Sequence, residues 1–293
     1  MTSSQQAAIE PALYDSLVRE DSPRATAFIV TVYGDVVEPR GGRLGMGALI
    51  ETCAEHGINE GLVRTVVSRL VTADRLVGER VGRKSFYRLT RSAQKEFAAA
   101  AGLLYAPPPQ ALGWLMSIGK GRGEAAQAPD WVRVGADIAM APNRADVARP
   151  PGMLLAAETL AGGEEQHVFA ARHWPLDDVA AAYAAFNNAF RPLAEELSGG
   201  DAPEGALALA LRLRLVDLYR QAALADPRLP RAAYPKVWPG EEARALFVKL
   251  YLSLAAAADA YVGLAFYDED GPLPAETAMT RCRLDNLRRE SQR

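Results

Sequence analysis

Between residues 24 and 101 the apolar positions change period in a fixed order. Residues 24–36 are almost continuously apolar, and Pro39-Arg40-Gly41-Gly42 reads as a turn. Helical spacing follows over residues 46–56 and, beyond Gly57, over residues 60–73. Two strand-like pieces, 76–81 and 85–89, flank Gly82-Arg83-Lys84, after which Thr90 can cap a further helix through Ala101. Three helices and then a hairpin is the order of a winged helix-turn-helix. Ahead of it, residues 1–22 form a polar lead with one short helical candidate around Pro11 to Arg19.

Pro107-Pro108-Pro109 then holds the chain extended and marks a boundary. Residues 114–118, 131–141 and 166–172 read as short strands between Gly- and Pro-rich connections, which predicts a small α+β unit. From Asp177 on, helical patterns recur over 177–197, 203–225 and 241–266, with Pro227, Pro230, Pro235 and Pro239 breaking the chain between the last two. The expected division is a lead (1–22), a DNA-binding domain (23–106), a middle domain (107–175), a helical effector and dimerisation domain (176–275) and a tail (276–293).

Composition narrows the possibilities. At 49% hydrophobic and 24% charged residues, the 293-residue chain has the make-up of a folded globular protein. Its two cysteines, Cys53 and Cys282, form no CxxC pair and have only His56, His167 and His173 as company, which excludes a disulfide scaffold or a Cys-rich zinc site and suits a reducing cytoplasm. No basic start with a following apolar block marks the first residues as a signal peptide. The most apolar stretch, 246–266, contains Lys249 and Asp259, which argues against a membrane span.

Net charge is only −3, so the distribution matters more than the total. Placed on a wheel, residues 60–73 put Val63, Val66, Val67, Leu70 and Val71 in one sector and Arg64, Thr65, Ser68, Arg69 and Thr72 in the other. The polar sector holds no acid, and its residue types are those that contact phosphates and base edges in a major groove. Gly57 supplies the turn before this helix and Asn59 its N-cap. From Glu60 to Arg91 eight bases face three acids, and Arg80, Arg83 and Lys84 belong to a hairpin that can reach the DNA backbone. A polar helix face merely solvated is the plainer alternative, and the coincidence of order, face and charge speaks against it.

These segments carry a resemblance. Residues 27–42 (AFIVTVYGDVVEPRGG), 57–70 (GINEGLVRTVVSRL) and 82–90 (GRKSFYRLT) resemble the PaaX family of bacterial transcriptional repressors. So do His173-Trp174-Pro175-Leu176-Asp177, Asp226-Pro227-Arg228-Leu229-Pro230 and Trp238-Pro239-Gly240-Glu241-Glu242-Ala243-Arg244, and the likeness spans most of residues 23–266. The resemblance implies an α+β architecture: an N-terminal winged helix-turn-helix, a ferredoxin-like (Cas2-like) middle unit and a helical C-terminal domain. It also implies a homodimer on a palindromic operator in double-stranded DNA, released by an aryl acyl-CoA such as phenylacetyl-CoA. The chain departs from the family in the middle, where residues 119–129 are a short Gly-rich connection and Pro150-Pro151 interrupts the next element.

Other motifs point to no chemistry of comparable weight. The 114–119 stretch lacks the acid a Cas2-like metal nuclease would need. The loop Gly119-Lys120-Gly121-Arg122-Gly123 lacks P-loop spacing and reads as a flexible connection rather than a phosphate cradle. Neither GxSxG nor HExxH occurs, so an enzyme acting on a CoA thioester has no nucleophile and base to stand on, and no cofactor is expected. His167 and His173, at even spacing, would share a face of the 166–172 strand, while Cys53 reads as a packed core residue. Arg212, Arg214, Arg220 and Tyr219 could meet the phosphates of an acyl-CoA, and Tyr234 and Trp238 its aryl group; interdomain contacts are the alternative. An effector-independent or activating regulator of another pathway is the second reading of function.

Overall fold

The structure is a computed structural model that describes residues 9–119, 128, 130–199, 203 and 205–292. The chain is a mixture of helices and two small antiparallel sheets, and it clusters into two compact units. One unit comprises residues up to 107, 186–220 and 243 onward; the other comprises 108–185 and 221–242.

In the first unit α1 (Pro11–Asp15) begins at a proline, whose fixed φ suits a first turn, and runs on as a wider turn to Glu20. The apolar stretch at 24–36 becomes α2 (Ala25–Val32), which buries Phe28, Ile29 and Val32 and continues irregularly through Tyr33–Val37 and Glu38–Arg40. Gly41 and Gly42 take φ of 101° and 78° and end it, as the sequence predicts for a turn. Then follow β1 (Arg43–Gly45), α3 (Met46–Glu55), α4 (Glu60–Thr72), β2 (Leu76–Val81), β3 (Lys84–Leu89) and α5 (Arg91–Tyr105). The sheet order is β1-β3-β2, with Val81 opposite Lys84 across the Gly82-Arg83 tip. Thr90 caps α5 by accepting from the Ala93 N–H, and the helix runs one turn beyond Ala101.

In the second unit β4 (Trp114–Ile118), β5 (Val132–Arg133), β6 (Ile138–Pro142) and β7 (Met153–Ala157) form one sheet in the order β5-β6-β4-β7. Leu115, Trp131, Ala139, Ala141 and Val147 make its core. The single strand expected over 131–141 is broken by a turn, and β7 lies where none was predicted. A second correction concerns residues 166–172. They are helical, within α6 (Gly163–His173), because Gly162 turns the chain at φ 81° and the carboxylates of Glu164 and Glu165 and the bases of Arg172 and His173 complement the two ends of a helix dipole. Six positions apart on a helix, His167 and His173 lie on different faces rather than one. The Gly119 to Gly123 loop lies outside the described residues beyond Gly119 itself.

The long C-terminal helices are α7 (Leu176–Gly199), α8 (Gly205–Ala225) and α9 (Pro239–Ala265). Helix α9 is, among the described residues, the one helix long and apolar enough to cross a membrane, yet Phe247, Leu250, Tyr251, Leu254, Ala258 and Val262 are buried inside the protein. A further helix, α10 (Ala278–Ser291), starts at a reciprocal cap between Thr277 and Thr280. Its strongly polar composition concealed it in the sequence.

Candidate nucleic-acid interface

Helix α4 is the element on which the functional reading turns. Asn59 caps it, its side-chain oxygen accepting from the Leu62 N–H at 2.9 Å, and Gly57 makes the preceding turn at φ 74°. Val63, Val66 and Val67 are buried, as the wheel requires, but Leu70 is only half-buried and Val71 is 39% exposed. The apolar stripe is therefore narrower than expected, since the last turn runs past the core it packs on.

All nine predicted DNA-facing residues, Asn59, Arg64, Thr65, Ser68, Arg69, Thr72, Arg80, Arg83 and Lys84, are exposed. Their hydrogen bonds are short-range. Arg64 pairs with Glu60 one turn back at 2.7 Å, while Thr65 and Thr72 donate to the carbonyls of Gly61 and Ser68. Arg80 donates to the Gly82 carbonyl across the hairpin tip. Arg69, Arg83 and Lys84 have no acidic partner among the described residues. Arg64, Arg83 and Lys84 line one groove of about 470 Å³ together with Gly45 and Met46 at the start of α3 and Tyr267 beyond α9. Three cations from two elements thus line one concave surface that also holds Glu51 and Asp268; Arg83 and Lys84 can meet a phosphate backbone without losing an internal ion pair, while Arg64 would do so in competition with Glu60.

Sequence reasoning missed Tyr267, whose carbonyl accepts from the Gly45 N–H at 3.1 Å, and Glu269, which pairs with Arg43. Both follow the long apolar stretch by only a few residues, and nothing in their local pattern signals a partner in β1.

The six residues proposed for an effector are all engaged within the protein. Arg212 lies between Asp35 and Asp259, at 2.9 and 2.5 Å. Arg214 donates to the carbonyls of Leu17 and Asp21 and pairs with the Asp21 carboxylate. Arg220 reaches Thr31 and the Ala27 carbonyl, and Tyr219 stacks on Phe247 with ring centroids 4.2 Å apart. In the second unit Tyr234 donates to the Asp226 carboxylate, accepts from the Leu229 N–H and packs on Trp238 at 4.4 Å.

The family model described as PaaX-like protein matches residues 24–93, and that described as PaaX-like protein C-terminal domain matches residues 174–263. The chain is also 30% identical over 295 residues to the transcriptional repressor PaaX of Escherichia coli (strain K12), covering 91% of this chain and 92% of that one. The chain belongs to the PaaX family. Membership makes it a transcriptional regulator and not an enzyme. A solved structure, that of the uncharacterized protein Rv0674 from Mycobacterium tuberculosis, is similar at 22% identity over 73% of this chain and 90% of that one, with a TM-score of 0.39.

Seen as a PaaX-family chain, its matched segments have distinct physical jobs. The first contains the exposed face of α4 but also Asp35 and Arg40, both buried. In the second, the Asp226–Pro230 run is a hub: Asp226 accepts from Tyr183 and Tyr234, and Arg144 donates to the Pro227 carbonyl. Gly240 is required by its surroundings, because a Cβ there would stand 2.5 Å from the Trp238 indole nitrogen.

Proposed function

We propose that this PaaX-family regulator is a homodimeric repressor that binds double-stranded DNA through a winged helix-turn-helix formed by residues 23–106. Helix α4 lies in the major groove with Arg64, Thr65, Ser68 and Arg69 toward the bases, and the β2–β3 tip with Arg83 and Lys84 grips the adjacent backbone. What carries this reading is that Arg64, from the exposed polar face of α4, and Arg83 and Lys84 of the hairpin tip line one groove. Two such readers related by a dimer axis match a palindrome.

The middle unit fits a ferredoxin-like arrangement in its strand order, since numbering its four strands along the chain gives 4-1-3-2 from β7 to β5. The connection from β6 to β7, residues 143–152, is irregular where that fold places a helix. Helices α7 to α9 supply the effector and dimerisation part, and the protein acts in the cytoplasm. Release follows from an aryl acyl-CoA such as phenylacetyl-CoA, provided the ligand binds the DNA-free form more tightly than the DNA-bound form. Arg212, Arg214, Tyr219 and Arg220 of the first unit are candidates for meeting its phosphates, Arg220 being the most accessible of the three arginines with a side chain 16% exposed, and Tyr234 and Trp238 of the second unit are separate candidates for its aryl group. The irregular 143–152 connection favours the second reading, a regulator of another pathway that acts without this effector or as an activator.

The deciding experiment is a gel shift on the DNA upstream of the protein's own gene, across salt concentration and with phenylacetyl-CoA added. Specific binding that weakens with salt and is abolished by the thioester is expected. Binding that ignores the thioester favours the second reading, and absence of specific binding overturns the DNA function.

A further inference from the structure

Leu62 stands in the first turn of α4 with 42% of its surface exposed, and Thr65, also exposed, follows one turn on. A lone exposed leucine asks for no explanation. Its place does, because the N-terminal turns of a reading helix are the ones that reach base edges. Three positions apart, the two side chains are neighbours on the helix surface, and Arg69 continues the same ridge one turn further. The buried Val63, Val66 and Val67 occupy the other side.

The hydrogen bonds of this face decide what it can read. Thr65 donates its hydroxyl proton to the Gly61 carbonyl at 2.8 Å, so the oxygen has no proton left for a base acceptor, and the γ-methyl is the apolar part the side chain keeps. Asn59, the one carboxamide at this end of α4, has its oxygen turned onto the Leu62 N–H, and no Asn or Gln lies within the helix, so adenine finds no bidentate partner there. Arg64 is paired with Glu60, whereas Arg69, without an acidic partner among the described residues, can take guanine. What remains for an A·T pair is the one apolar group on its major-groove edge, the thymine 5-methyl.

We infer that Leu62 and the Thr65 γ-methyl form a notch that receives the 5-methyl group of one thymine in each half of the operator, which makes these two residues specificity determinants. The inference rests on the DNA-binding reading above and names the base that this part of α4 selects. Cβ atoms three positions apart on a helix stand about 5–6 Å from each other, which admits one methyl group between the two side chains. Losing the apolar contact of a single methyl corresponds to about a fourfold loss of affinity in that half-site.

The test takes the full-length protein and the shortest duplex from upstream of its own gene that it shifts specifically. Each thymine of one half-site is replaced in turn by 2′-deoxyuridine, which removes the 5-methyl and leaves every hydrogen-bonding group of the base pair in place. One position is expected to lose about fourfold in affinity. Thr65→Ser keeps the hydroxyl and removes the methyl, so it should bind the thymine duplex more weakly and no longer distinguish thymine from uracil at that position. Thr65→Val keeps the methyl and should keep the discrimination, while Leu62→Ala should reduce it. Both residues are exposed, so the fold is not at stake. Discrimination that survives Thr65→Ser, or that is lost in Thr65→Val, overturns the inference, as does a scan in which no thymine responds. Those results leave the DNA-binding reading standing, whereas the absence of any specifically shifted duplex overturns that reading and the inference with it.

Discussion

Arg212 Nε lies 2.9 Å from Asp35 Oδ2, and neither side chain is more than 1% exposed. The approach is that of an ion pair rather than an aligned hydrogen bond, because the better-directed bonds of each group go elsewhere. Asp35 Oδ1 accepts from Tyr105 and Tyr251 at 2.8 and 2.9 Å, while Arg212 shares the Asp259 carboxylate with Arg40. Burial pushes the Asp35 carboxyl up, but the guanidiniums of Arg212 and Arg283 and the two tyrosine hydroxyls outweigh it and hold it below its ordinary value. Asp35 and Arg40 belong to the N-terminal family segment, Arg212 and Asp259 to the C-terminal one. The ion network therefore ties the two matched segments together inside one unit.

Asp35→Ala leaves Arg212 buried with one partner fewer. Loss of one member of a buried pair typically costs about 3–5 kcal/mol, so urea unfolding should show a drop of that order. The pH dependence has a definite sign. Because the folded-state pKa lies below the unfolded one, the Asp35 contribution is fully present above roughly pH 4 and drains away as pH falls through the folded value. The Asp35→Ala protein should lack that acid-dependent component.

His56 gives a second, separable pH signature with its own window. Its folded-state pKa is about 3 against an ordinary value near 6.5, so between those limits the unfolded chain binds the extra proton. Stability should rise with pH through that interval by up to about 1.4 kcal/mol per pH unit and level off above about 6.5. His56→Phe should flatten this slope while leaving the more acidic Asp35 component. A slope unchanged in His56→Phe would mean that the buried ring is not the titrating group.

For the reader, Arg69→Ala and the pair Arg83→Ala and Lys84→Ala should fail differently. Removing a base-reading side chain at Arg69 costs about 1–3 kcal/mol of operator affinity and relaxes sequence preference. Each wing cation removed should lower the slope of log affinity against log salt by roughly 0.9 while preserving preference. All three residues are exposed and have no acidic partner among the described residues, so thermal melting should hardly move. Equal affinities for operator and random DNA in the wild-type protein would sink this assignment.

What could be read from the sequence divides along physical lines. The elements from 46 to 105 were legible because each rests on a local rule: the Asn59 and Thr90 caps, the Gly57 turn, the Gly82 turn between two strand-like pieces. Residues 166–172 misled because a short run with few apolar positions fits either period, and only the glycine turn and end charges decide for a helix. The ion network could not be read at all. Asp35, Arg40, Arg212, Asp259 and Arg283 are charged residues away from solvent, and their mutual neutralisation depends on pairings across 47 positions of chain for Arg212–Asp259 and far more for the others, such as 219 for Arg40–Asp259 and 248 for Arg283–Asp35. The candidate DNA-facing residues were visible as a face; the arginines offered for an effector were visible only as charges, and the structure shows where those charges go.

Gly57 offers the sharpest test of how α3 positions α4. Its φ of 74° is a conformation that costs an L-residue about 1–2 kcal/mol, and an added Cβ would stand 2.4 Å from Ser22 Oγ. These two costs can be separated. Gly57→Ala should lower stability by both, Ser22→Ala in the same chain should recover the part due to the clash, and the backbone part should persist. Gly57→Asn tests the remainder, since asparagine tolerates the left-handed region better than alanine does. Because the turn fixes the angle at which α4 leaves α3, operator affinity measured at a temperature where every variant is folded should fall in Gly57→Ala and return with Asn more than stability does. Full affinity in a folded Gly57→Ala protein would show that α4 is held in place by its buried valines alone.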